Sequence, residues 1–256
     1  MMSRRLVLPL LKLLGLGRSE TVPLTAGVLI IGSLLWDLKK GRPAWRSARL
    51  NMAKAQTVTA PFRYGRLSES RGNSYSMVFS RLCPVGQAVL VPCSREISCV
   101  QDLTAEAECL WKAEQPGAKS DRIAATWGCV AVLCNPERAI PDDLLRGWAA
   151  RVAAEHSYGS VSQTQAEGVL VTCDGLLRIE WPKLVDSGAA AGVDLLLATA
   201  NDPRITVSSP DYPAAETIAE AWNRAGDYAG YFWNNRDCGI CTFQDEEIRR
   251  SLHPRE

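Results

Sequence analysis

The chain has 256 residues, 46% of them hydrophobic, with 29 Lys and Arg against 28 Asp and Glu for a formal net charge of +1. That length carries enough apolar material for a real core, in one large domain or two small ones. The balanced charge, with no lysine- and arginine-rich block, removes any composition argument for nucleic acid, and the ordinary Gly and Pro content argues against disorder or a fibrous repeat.

The first twenty residues, MMSRRLVLPLLKLLGLGRSE, set Arg4 and Arg5 before an apolar run, which is the outline of a signal peptide. Pro9 and Lys12 interrupt that run and no small-x-small cleavage site follows, so residues 1–22 read as a leader, an amphipathic segment or an overlong start. The next apolar stretch, Ala26 to Trp36, has about half of the roughly 20 residues that span a bilayer. The expectation is a soluble, cytoplasmic chain with no membrane span.

Val28 to Ile31 is a continuous aliphatic run stopped by Gly32, which reads as a buried strand entering a tight loop. Gln56 to Thr59, Tyr75 to Phe79 and Gln87 to Val91 read as further strands, bounded by Pro61, Arg71-Gly72-Asn73, Pro84 and Pro92. Leu103 to Glu114 reads as a helix, with Thr104 as cap and Leu110 and Trp111 inward. Ala125 to Leu133 and Gly168 to Thr172 read as core strands. Asp142 to Glu155 and Ala214 to Arg224 read as helices introduced by Pro141-Asp142 and Tyr212-Pro213. Short strands with interspersed helices and no regular βαβ alternation predict an α+β fold with a small mixed or barrel-like sheet. With no repeat and no low-complexity linker, residues 23–256 form a single domain whose C-terminal extension begins at about 140.

Nine cysteines cannot all close into intramolecular pairs, and most sit in apolar company such as Trp127-Gly-Cys129-Val-Ala-Val-Leu-Cys134. They read as small core hydrophobes in a reducing compartment. Cys238 and Cys241 form a C-x-x-C that is compatible with buried thiols, redox chemistry or half of a zinc site. The only histidines, His156 and His253, are isolated, which favours the buried thiols. The segment from Tyr228 to Asp245, dense in aromatics with Asn234 and Asn235, reads as a clasp folded onto the core or as a pocket wall.

A strand that ends in Gly32-Ser33-Leu34 can present consecutive backbone N–H groups to a carboxylate, because glycine permits the required backbone angles. Three elements follow in order: Gly32-Ser33-Leu34-Leu35-Trp36, then the segment from Phe62 to Asn73 with Ser68-Glu69-Ser70-Arg71-Gly72 within it, then Leu110-Trp111-Lys112-Ala113-Glu114. This series resembles the gamma-glutamylcyclotransferase superfamily, and most its ChaC-type branch, over roughly residues 27 to 135. The resemblance implies a small mixed β-barrel flanked by helices and a cofactor-independent enzyme. Its substrate would be a small gamma-glutamyl compound, converted with release of 5-oxoproline. It further implies that Gly32, Ser33 and Leu34 bind substrate and that Glu114 is the catalytic carboxylate. A partly desolvated glutamate suits the removal of a proton from an α-ammonium that attacks its own γ-carbonyl. Arg71 either pairs with a substrate carboxylate or braces the loop.

Two departures stand out. Ile31 occupies the place of the branch's tyrosine before Gly-Ser-Leu, leaving Tyr75, Tyr64 or a C-terminal aromatic to supply the hydroxyl. After Arg71-Gly72 the chain continues Asn73-Ser74-Tyr75-Ser76-Met77 and lacks a proline-rich continuation. Glu106, Glu108 and Glu114 share one helix at spacings that keep all three from one pocket. A non-catalytic ligand-binding or regulatory module on the same fold is the alternative, and a redox protein using Cys238 and Cys241 is a third reading.

Overall fold

Two largely aliphatic runs, Ala26–Ile30 (β1) and Leu195–Asn201 (β7), the second broken only by Thr199 and Asn201 at its end, lie side by side and parallel in the middle of a sheet. Strands buried on both faces need such continuous apolar sequence. The computed structural model describes residues 22–253 apart from 120, 159–160, 162–166, 204–210 and 227–229. The leader expected over 1–22 therefore falls, but for its last residue, outside the described part. Among the described residues the other strands are Gln56–Ser68 (β2), Ser74–Phe79 (β3), Val85–Pro92 (β4), Ala124–Ala125 (β5) and Gly128–Cys134 (β6). The order is β3-β2-β4-β1-β7-β6-β5, with every pairing except β1 with β7 antiparallel.

The fold is mixed α+β, and the sheet is open where a barrel was expected. Only two residues long, β5 ends the ladder on one side and β3 on the other. The sheet is nonetheless curled, because β3 packs against β7 across the three strands that separate them. Six helices accompany it among the described residues: Arg42–Arg49 (α1), Val100–Glu114 (α2), Asp142–Ala153 (α3), Ala215–Ala225 (α4), Gly230–Asp237 (α5) and Asp245–Ser251 (α6). Helix α2 packs on β6 and β7 with α1 and α3 beside it, while α4 packs on β3 and α6.

Several boundaries differ from the sequence expectation for local reasons. Pro61 does not end β2, because the strand changes partner there. Gln56–Pro61 pairs with β4, Phe62–Ser68 pairs with β3, and the missing proline N–H falls at the handover. Helix α2 begins four residues before Thr104, capped at Cys99, with the Asp102 carboxylate accepting from the N–H groups of Ser98 and Cys99. The run from Ala125 to Leu133 breaks at Trp127 into β5 and β6. Gly168 to Thr172 makes no ladder. A tight turn, closed by Gly175 N–H donating to Thr172 O, reverses the chain, and Leu177 rather than Val171 bonds to β6. The region beyond about 140, expected as an extension, contributes β7 between β1 and β6.

Candidate functional site

The parallel pair β1 and β7 ends at a cavity of about 470 Å³, placed at the carboxyl ends of those strands. Gly32, Ser33 and Leu34 come from the loop that leaves β1, Arg71 from the turn between β2 and β3, and Glu114 from the last residue of α2. All five line this one cavity. The sequence groups them only through the resemblance, since 82 residues separate the first from the last in the chain.

Ser33 is the meeting point. Its Oγ accepts hydrogen bonds from Arg42 Nη1 at 2.9 Å and from Arg71 Nη2 at 3.0 Å. With both lone pairs engaged, the hydroxyl retains only its own proton to offer a ligand. Among the described residues the backbone N–H groups of Ser33 and Leu34 donate to no backbone acceptor. Hydroxyl, two amides and a guanidinium together form a donor cluster suited to a carboxylate.

Arg42, at the start of α1, carries no sequence signal that marks it, yet it organises the loop. Besides Ser33, its guanidinium donates to Asp37 Oδ2 at 2.8 Å, to the Ala113 carbonyl at 3.0 Å and to Glu114 Oε2 at 3.3 Å. It is 4% exposed, so these bonds are made with little water to compete. Arg71 differs: it lies 4.4 Å from the centre of the Tyr231 ring, and no carboxylate pairs with it among the described residues.

The three glutamates of α2 have three destinations, as their helical spacing requires. Glu106 is buried against Arg49 Nε at 3.3 Å, and burial raises its carboxyl above the ordinary value although Arg49 opposes the shift. Glu108 pairs with Arg151 at 3.5 Å. Glu114 alone reaches the cavity.

Of the three sources of hydroxyl left open by Ile31, Tyr64 is wholly buried away from the cavity and Tyr75 does not line it. Tyr231 does, on α5. Its phenol oxygen stands 2.7 Å from where a Cβ on residue 32 would be. Gly32 has no positive φ, so glycine is needed here for the space its missing side chain leaves and not for an unusual backbone angle. Burial raises the Tyr231 phenol above its ordinary value, with Arg71 opposing and Glu114 adding to the shift, which keeps the phenol protonated. The C-terminal cluster thus serves as both clasp and wall. Trp222 stacks on Tyr231 at 5.4 Å, Trp36 meets it edge-on at 5.9 Å, and Trp36 Nε1 donates to the buried Asn235 Oδ1 at 2.7 Å.

Thr199 and Asn201 of β7 also line the cavity, and sequence reading missed them with the strand that carries them. Cys238 and Cys241 are free, half-buried thiols outside the cavity, and burial pushes both up, away from the reactive thiolate. No group of three or more His, Cys, Asp or Glu among the described residues is arranged to hold a metal ion, and no described helix is long and apolar enough to cross a membrane. The chain matches no family model, no curated protein and no solved structure.

Proposed function

We propose that the cavity cyclises a small γ-glutamyl compound without a cofactor, releasing 5-oxoproline, with Glu114 as general base. The observation that carries this reading is a convergence on a cavity of about 470 Å³. Glu114, the Arg71 guanidinium and the loop of Ser33 and Leu34, whose N–H groups donate to no backbone acceptor among the described residues, line it together, and the exposed Glu69 lines it as a second carboxylate. In the proposed reaction the α-carboxylate binds at Ser33, Leu34 and Arg71. Glu114 takes a proton from the α-ammonium, and the freed amine attacks the γ-carbonyl. A C–N bond forms in the ring, the bond to the leaving nitrogen breaks, and Glu114 relays the two protons that the α-nitrogen loses to the leaving nitrogen, which departs as an ammonium. Holding amine and carbonyl together lowers the barrier by orientation, and the Tyr231 hydroxyl above Gly32 is a donor for the developing oxyanion. The curled sheet, with β3 folded back to β7, is compatible with the barrel of the gamma-glutamylcyclotransferase superfamily.

The ion pair between Glu114 and Arg42 favours one other reading, a ligand-binding module in which the carboxylate is structural. The two separate cleanly. Incubation with γ-glutamyl peptides and amines yields 5-oxoproline on the first reading, and yields ligand-induced stabilisation with no turnover on the second.

A further inference from the structure

Central strand β7 carries two polar side chains into the cavity, Thr199 and Asn201, two residues apart and so on the same face of the sheet. Thr199 Oγ1 and Asn201 Oδ1 are both buried, and neither has a hydrogen-bond partner. Thr199 is 9% exposed in a strand otherwise made mostly of leucine and alanine. A buried polar atom without a partner costs about 1–3 kcal/mol, so valine would be the stabilising choice if the position served the fold alone. The neighbouring strand also gives way to this face. Gly128, paired with Asn201, leaves room that a Cβ would close at 2.7 Å from Asn201 Oδ1.

We infer that Thr199 and Asn201 form an acceptor subsite for a nitrogen-bound hydrogen of the ligand, separate from the carboxylate cluster at Ser33 and Arg71. Asn201 Oδ1 can only accept, and Thr199 Oγ1 can accept as well as donate, so the group that engages both must carry a hydrogen to donate to Asn201. Within the proposed cyclotransferase reading, on which this inference rests, the donor is either the α-ammonium or the γ-amide N–H. The subsite accordingly selects γ-glutamyl amides and amines over ligands that lack those hydrogens.

The test measures ligand-induced thermal shifts for the full chain, T199V, T199S and N201A. The probes are L-glutamine, glutamate γ-methyl ester, which lacks the amide N–H, and N-acetylglutamine, which lacks the ammonium. T199V should melt no lower than the wild type while binding L-glutamine about tenfold more weakly, the loss of one hydrogen bond, and T199S should restore binding. The weaker of the two altered probes identifies which nitrogen is read. Equal binding of L-glutamine by T199V and wild type, or a clearly lower melting temperature for T199V, overturns the subsite. Binding of none of the probes by the wild type overturns subsite and reading together. Probe binding that depends on Thr199, with no 5-oxoproline from any γ-glutamyl compound, overturns the cyclotransferase reading and leaves the subsite standing.

Discussion

The phenol oxygen of Tyr231 fills the volume that a side chain on Gly32 would need, since a Cβ at that position would fall only 2.7 Å from it. These residues are 199 positions apart, and their fit locks α5 onto the loop that leaves β1. Gly32→Ala should therefore displace the phenol, lower stability by about 1–3 kcal/mol and reduce activity. Tyr231→Phe removes the obstructing oxygen. In the double variant, denaturant unfolding should recover about 1 kcal/mol of the alanine's cost, while activity stays low. Strictly additive losses would show that the two residues do not share the space.

Arg42 satisfies Ser33, Asp37 and Glu114 at once from a position that is 4% exposed. Replacing it by alanine leaves Glu114 without its cation and Asp37 with only the exposed Lys39, at 4.0 Å. The expected destabilisation is about 3–5 kcal/mol, read by chemical denaturation. Arg42→Lys should fail to restore it, because an ammonium cannot reproduce the fork that reaches all three partners.

Asp245 connects the C-terminal clasp, accepting from Thr242 N–H at 2.9 Å and from Thr242 Oγ1, with Arg236 at 3.6 Å. Burial pushes its carboxyl up to about 6, against the hydrogen bonds from Thr242. The folded chain therefore holds this proton more tightly than the unfolded chain. Its contribution to stability is full below about 3.8, the unfolded value, and is lost as pH rises through about 6. Wild-type stability relative to Asp245→Asn should fall by up to roughly 3 kcal/mol between pH 4 and pH 7. The asparagine retains an oxygen for Thr242 and does not titrate, so a constant difference across that range would contradict the assignment.

Strands whose sequence is aliphatic and β-branched were legible, as β1 and β4 show, because burial on both faces imposes that composition. Leu195–Asn201 was not, although it is as central, because leucine and alanine favour a helix as much as a strand and only its neighbours decide. The cavity followed the same division. Gly32, Ser33, Leu34, Arg71 and Glu114 stand in short motifs that can be read along the chain. Arg42, Thr199 and Tyr231 reach the cavity through packing between distant elements, and no local pattern marks them. The aromatic cluster around Tyr231 signalled its importance by composition, but which ring faces the loop depends on how α5 docks.

Glu114 is the residue on which the proposed chemistry turns, and Glu114→Gln keeps its size and one acceptor oxygen while removing the base. The decisive measurement is 5-oxoproline release from a panel of γ-glutamyl peptides and amines, by wild type and Glu114→Gln, alongside their melting temperatures. The proposed mechanism predicts release by the wild type and a loss of about 10²–10⁴-fold in the variant, which remains folded. Release that is unchanged in Glu114→Gln, or no release by the wild type from any member of the panel, would contradict it.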